Sequence, residues 1–386
     1  MASLIRCRSC GSPGLYHFLD LGRTPLADAF PEKAGPERTY PLGLAVCVGC
    51  WLVQNTETVP DEELWTGDYG FYTGASPSSV AYFREYAEWC KSQYPAQSAG
   101  NVLEVACNDG TLLRHFPTPT GVEPAANVAQ AARDLGLAVI TAPFGREVAA
   151  QLGHKSADLV IANNVIAHVS DLDDFLGGIK YVLAPRGVAV IEFQYVGDLI
   201  AGNQFDHVYH EHRSFFSERS LDVALWPHDL SIQSVLHTPA QGGSLRVVVR
   251  HGERPWMSPE GWLGQHSTYA AFAGRIAYVR QRLLDLIDDE IGAGRSVAGY
   301  AASAKSTTLL NYCGIGTDRL RSVVDLTPHK IGRVTPGTHI PIVAEDDVDT
   351  YLLMAWNYLP GVLRRERAFI DRGGRFIVPI PMPVIL

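Results

Sequence analysis

The chain has 386 residues, 46% hydrophobic and 19% charged, a globular balance that excludes disordered and collagen-like classes and predicts two or three domains. Its 32 Lys and Arg against 41 Asp and Glu leave a net charge of −9, and no basic run compensates locally, so nucleic acid is excluded as a partner. No apolar run approaches the roughly 18 residues of a membrane span, and the start MASLIRCRSCGSPG does not read as a signal peptide, so a cytoplasmic location with no membrane partner is expected.

The first specific signal is a pair of C-x2-C knuckles, Cys7 with Cys10 and Cys47 with Cys50. Each turn brings two thiolates to one point, and two such turns close a tetrahedron that suits zinc and leaves no position for a reactive water. A structural zinc is therefore expected. The residues between the knuckles include the strand-like pieces FLDLG and YPLGLAVC.

After the aromatic stretch Tyr69 to Tyr72, the segment VAYFREYAEWCKSQY predicts a helix. The run VLEV predicts a buried parallel strand with Glu104 near its carboxyl end, and Asn108-Asp109-Gly110 a tight turn before another helix. In GVEPAANVAQAARDLG, Val122 closes a second strand and Glu123 stands at its tip, where a carboxylate can accept from two ribose hydroxyls. AVITAPF, DLVIANNVIAHV and GVAVIEF continue the βα alternation, with helices such as VSDLDDFLGGIKYVL between them. The sheet is therefore doubly wound, and LSIQSVLHTPA with GSLRVVVRH closes it as an antiparallel hairpin. That closure is typical of the S-adenosylmethionine-dependent methyltransferase fold. At the carboxyl edge, Asn163 and Asn164 suit either the cofactor or simple turn capping, and His168 either the substrate or a structural hydrogen bond.

The strongest cluster is Tyr209-His210-Glu211-His212, flanked by Asp206, His207 and Phe215, in the stretch after GVAVIEF. An imidazole can take a proton near neutrality, a carboxylate can orient it, and a phenol can stabilise an oxyanion, which makes His212 the candidate base. If the stretch is extended, His210 and His212 share a face. From about residue 253 a long amphipathic helix pattern precedes a new α/β unit. Its loop Ala301 to Thr307, with Ser303 and Lys305, suits a phosphate or nucleotide, or is a plain strand-to-helix turn.

The knuckles, EVACNDGTLL, GVEPAANVA, FDHVYHEHRSFFS, GGSLRV, AKSTTLLNYCGI, VVDLTPHKIGRVTPGTHIPI and GGRFIVPIP together resemble the deoxysugar C-methyltransferase family. The resemblance implies an α/β protein of three parts. These are a small zinc-binding module over 1–70, a doubly wound class I methyltransferase core over 71–252, and a second, Rossmann-like α/β domain over 253–386 that helps hold a nucleotide-linked sugar through Ser303 and Lys305. It implies S-adenosylmethionine held by Glu104, Ala106, Asn108, Asp109, Gly110, Glu123, Asn163 and Asn164. Tyr209, Glu211, His212 and His168 would serve the chemistry, His210 the substrate, and one of Tyr69 and Tyr72 would enter the site. Where the family shows Glu-x-Gly-Ser-Asn-Asp-Gly, this chain has Ala106 and Cys107, which adds a methyl where backbone approaches cofactor. The implied activity of this chain, expected as a monomer, is methylation of carbon, C-3, beside the ketone of a dTDP-4-keto-6-deoxyhexose through an enolate. Methylation at C-5, or at oxygen or nitrogen, is the alternative.

Overall fold

The computed structural model describes residues 2–65, 69–252 and 255–386; residues 253 and 254, where the sequence predicts the C-terminal unit to begin, lie outside them. Near the N-terminus Leu15–Thr24, Tyr40–Cys47 and Val53–Asn55 pair antiparallel. The fourth strand of that sheet, Ser214–Phe215, arrives from far along the chain and pairs with Val53–Asn55. Tyr40–Cys47 is buried along almost its whole length, because both of its faces are covered: Leu42, Leu44 and Val46 lie in one apolar core and Cys47 in another. Leu42, Leu44 and Val46 share a core with Tyr269, Phe272 and Ile276 of the helix His266–Gly292.

The central sheet has seven strands, in the spatial order Leu230–Thr238, Ser244–His251, Leu183–Gln194, Ala157–Asn163, Asn101–Val105, Thr118–Val122, Ala138–Ile140. The last five are parallel and the first two form the expected antiparallel hairpin. Chain order reverses between Asn101–Val105 and Ala157–Asn163, and in doubly wound sheets a ligand binds in the crevice beyond the strand ends there. Gly110 makes the turn after the first strand at φ +76, and a Cβ there would come within 2.3 Å of Leu137 Cδ1. The helix expected after this turn is not formed; only the short 3-10 turn Leu113–His115 follows. Asp109 Oδ1 accepts from both the amide and the hydroxyl of Thr111, at 3.2 and 2.7 Å, and Pro117 bars continuation at the other end.

The C-terminal sheet runs Ile342–Val343, Val323–Val324, Val297–Tyr300, Thr350–Leu353, Arg375–Val378, all parallel, then the antiparallel Val384–Ile385. Among the described residues no helix is long and apolar enough to cross a membrane.

Candidate active site

The four knuckle cysteines place their Sγ atoms within 4.8 Å of one another, with Cys7–Cys50 and Cys10–Cys47 at 3.5 Å. Zn–S bonds of about 2.3 Å need tetrahedral S–S edges of roughly 3.8 Å, so the set fits zinc with little adjustment. Each knuckle is closed by a backbone bond, Gly11 N to Cys7 O at 3.0 Å and Trp51 N to Cys47 O at 2.9 Å. The module then reaches inward. Asn55 Nδ2 donates to the carbonyls of Tyr209 and His212, both at 2.8 Å.

At the reversal point of the central sheet the Glu123 carboxylate accepts from the amides of Asn108 and Ala125, each at 2.9 Å and each to a different oxygen. One lone pair per oxygen remains for a ribose diol. Burial raises its pKa, against those two amides. Glu104 is buried, and its Oε2 finds no hydrogen-bond partner among the described residues. Burial, then the charges of Asp109 and Glu123, push its carboxyl well above the usual range. Neither amide atom of Asn163 has a partner among the described residues. Three carboxylates and an unpaired amide suit a ligand that carries positive charge and hydroxyls, as S-adenosylmethionine does. Asn164 takes the turn conformation, φ +51, and donates its amide to Glu192 O at 2.7 Å. Ala106 also lies in the left-handed region, φ +56, where alanine costs roughly 1–2 kcal/mol. Cys107 fills the space beside Gly121, whose added Cβ would meet its Sγ at 2.5 Å.

Asn108 and Asp109 hold the Phe71–Gly74 segment over this turn. Asn108 accepts from Thr73 N at 2.9 Å and donates to Phe71 O at 3.0 Å, and Asp109 accepts from Gly74 N at 2.7 Å. Tyr69 and Tyr72 part here. The Tyr69 phenol is raised by burial, then by Asp28, Glu123 and Glu211, and its backbone amide donates to Asn127 Oδ1 at 3.1 Å. Tyr72 is 37% exposed and its hydroxyl accepts from Asn127 at 2.9 Å.

The loop after the helix Val196–Ala201 carries the polar cluster. His212 Nδ1–H donates to the His207 carbonyl at 2.9 Å, which leaves Nε2 as the lone pair that accepts from the Tyr209 hydroxyl at 2.8 Å. His168 Nδ1–H donates to the Glu211 carbonyl at 2.9 Å, and the two imidazole centroids are 4.8 Å apart. Burial, then His168, holds His212 well below its ordinary pKa. Burial holds His168 down to about 4. Both rings are therefore neutral at pH 7. Glu211 is pushed up to about 8 by burial and then by Asp28, and its Oε2 has no partner among the described residues. Burial raises the pKa of the Asp28 carboxyl, against the charges of Lys330 and His329. From the other side Lys305 bonds Asn357, lies 5.4 Å from the Trp356 ring centroid, and is held down to about 8 by burial. Trp356 Nε1 donates to Asp206 at 2.7 Å. Ser303 caps the helix Ala304–Cys313 together with Ser306.

The shared face expected for His210 and His212 is not formed. His212 N bonds Tyr209 O at 3.0 Å, so the stretch turns and period-two alternation does not apply. His210 instead donates Nε2–H to the Pro41 carbonyl at 3.1 Å and lies edge-on to Tyr40, away from His212. Three neighbours were not singled out from sequence: Asp28, Asn55, and Trp65, whose ring lies 6.2 Å from Tyr69 and 5.9 Å from His168. WTGDYGFYTG carries Trp65 next to the singled-out tyrosines, which was the one available signal.

Family models match along the chain: a zinc binding domain over residues 7–65, a methyltransferase domain over 81–235, and a C-methyltransferase C-terminal domain over 239–381. The chain is 33% identical to the C-methyltransferase NovU of Streptomyces niveus over 405 aligned positions, 98% of this chain and 96% of that protein. Solved structures with local likeness include the PH0226 protein of Pyrococcus horikoshii OT3, at 16% identity over 47% of this chain and 96% of that one, with a TM-score of 0.39. Magnesium protoporphyrin IX methyltransferase of Synechocystis PCC 6803 matches at 16% identity over 44% and 82%, with a TM-score of 0.35. With its zinc-binding N-terminal domain, methyltransferase sheet and C-terminal domain all matched in order, the chain belongs to the S-adenosylmethionine-dependent C-methyltransferase family.

Proposed function

We propose that the chain methylates C-3 of a dTDP-linked 4-keto-6-deoxyhexose by way of an enolate. The observation that carries this is the Tyr209–His212 hydrogen bond, in which a neutral imidazole presents its Nε2 lone pair to a phenol. Carbon beside a ketone must lose a proton before it can attack, whereas an oxygen or nitrogen acceptor needs no carbon acid. His212 Nε2 takes that proton, and the Tyr209 hydroxyl turns to the oxygen on which charge develops. Glu211, protonated at pH 7 by its burial, donates to the same oxygen or to a sugar hydroxyl. His168 stays neutral and fixes the Glu211 backbone. Tyr69, whose phenol senses the charges of both Glu123 and Glu211, is the tyrosine that enters the site in this reading. S-adenosylmethionine, when bound, supplies the electrophilic methyl group.

In this proposal residues 1–70, 71–252 and 253–386 act as zinc module, cofactor core and sugar-nucleotide domain, with Lys305 and Ser303 near the phosphates, and the protein works as a cytoplasmic monomer. Incubation with a panel of dTDP-4-keto-6-deoxy sugars and methyl-labelled cofactor, read by mass spectrometry and then NMR, tests it. The label is expected on C-3; a label on C-5 moves the carbon, and a label on oxygen or nitrogen refutes the enolate.

A further inference from the structure

The C-terminal unit reaches into the loop that carries His212 and holds it at two points, one on each side of a single carbonyl. That carbonyl belongs to His207 and accepts from His212 Nδ1–H at 2.9 Å. The residue before it, Asp206, accepts from Trp356 Nε1–H at 2.7 Å. The residue after it, Val208, has its own carbonyl bonded by the Thr308 hydroxyl at 2.7 Å. Trp356 opens a 3-10 turn just past the strand Thr350–Leu353, and Thr308 lies on the helix Ala304–Cys313. Both donors therefore come from the C-terminal unit, and both acceptors flank His207.

The indole is itself fixed from several sides. It packs against two apolar clusters, one containing Leu352 and Met354, the other Leu353 and Val362. Its far edge meets Gly242 of the GGSLRV stretch: a Cβ there would come within 2.9 Å of Trp356 Cη2, at a φ of +86 that already favours glycine. The His207 ring lies edge-on to it at 6.0 Å. Asp206 is fully buried, and its Oδ1 has no partner among the described residues. Loss of the Trp356 N–H would leave that carboxylate with no side-chain donor among them, a cost that drives the turn to rearrange.

The His207 carbonyl decides which nitrogen of His212 carries hydrogen. A carbonyl can only accept, so Nδ1 is the protonated nitrogen and Nε2 keeps its lone pair for the Tyr209 hydroxyl. If the carbonyl swings away, hydrogen can move to Nε2, and an Nε2–H cannot take a proton. We propose that Trp356 and Thr308 are positioning residues, which set the orientation and tautomer of His212 through the His207 carbonyl; the consequence for rate rests on the reading of His212 as the base.

The test measures tautomer and rate separately, in the full chain, for Trp356→Phe and Thr308→Val. Long-range proton–nitrogen NMR correlations in protein with isotope-labelled histidine report which ring nitrogen carries hydrogen, and the His212 signal is identified by its loss in His212→Asn. His210, whose Nε2–H donates to Pro41 O in the N-terminal sheet, is the internal control. The wild type should show Nδ1–H at His212. Each variant should shift His212 toward Nε2–H and leave His210 unchanged. In each, kcat should fall by about tenfold to a hundredfold, the scale of small misplacement of a reacting group, with the KM for S-adenosylmethionine unchanged. Trp356→Phe keeps an aromatic ring in the slot and Thr308→Val keeps the side-chain outline, so if one variant loosens the fold the other still decides. An unchanged His212 signal in the folded variants, or a His210 signal that moves with it, overturns the proposal. A shifted His212 tautomer with undiminished kcat upholds the positioning and removes His212 as the base, so the two readings fail separately.

Discussion

His212 is held neutral by burial and Glu211 is held protonated up to about 8, and in the proposed mechanism these opposite shifts set the pH window. An imidazole of ordinary pKa, about 6.5, would be half protonated just below neutrality; this one keeps its lone pair further into acid. kcat/KM is therefore expected to stay flat through pH 6.5 and to fall above about pH 8 as Glu211 ionises, and Glu211→Gln removes that alkaline limb. A pH–rate profile with an acid limb at 6.5 would reassign the base. Glu123→Ala is expected to weaken cofactor binding by about 1.5–3 kcal/mol, the scale of hydrogen bonds to a charged acceptor, measured calorimetrically. Residue type and spacing made the cluster of Cys7, Cys10, Cys47 and Cys50 legible in the sequence. Asp28 and Asn55 were not, because their partners lie far away in the chain and neither sits in a motif that carries chemistry of its own. The parting of His210 from His212 was not legible because the Tyr209–His212 turn redirects the His210 ring, and no periodicity reports it.

The zinc module and the polar loop are one mechanical element. Ser214–Phe215 is a strand of the N-terminal sheet, and Asn55 clamps the carbonyls at both ends of the Tyr209–His212 turn. Asn55→Ala should lower kcat by about tenfold to a hundredfold, the scale of small misplacement of a reacting group, while cofactor affinity stays unchanged. Equal losses in both would indicate general destabilisation instead. Removing zinc with a chelator, or Cys47→Ser, should unfold the N-terminal sheet and abolish turnover, as circular dichroism and activity would show together. Strands were legible because apolar runs and the closing hairpin have few other readings. The helix expected after Gly110 is not formed, because Asp109 bonds Thr111 locally and competes with the helical pattern that the sequence suggested.

At the scale of the whole molecule, the N-terminal sheet and the C-terminal unit share one apolar core, and imidazoles buried nearby are held neutral. His210, only 3% exposed, is held down to about 4 by burial. Between pH 6.5 and 4 the unfolded chain takes up this proton and the folded chain does not, so stability falls as pH falls, by about 3 kcal/mol for this one group. Urea denaturation at pH 7 and pH 4.5 would show it. The enolate chemistry itself is tested most directly by solvent exchange. The wild-type enzyme, its keto-sugar and S-adenosylhomocysteine in deuterated buffer should give deuterium at the carbon beside the ketone, seen by mass spectrometry without any methyl transfer. His212→Asn should slow that exchange by about 10²- to 10⁴-fold and leave cofactor binding unchanged. Exchange at the wild-type rate in His212→Asn, or methylation without exchange in any variant, would contradict a base-generated enolate.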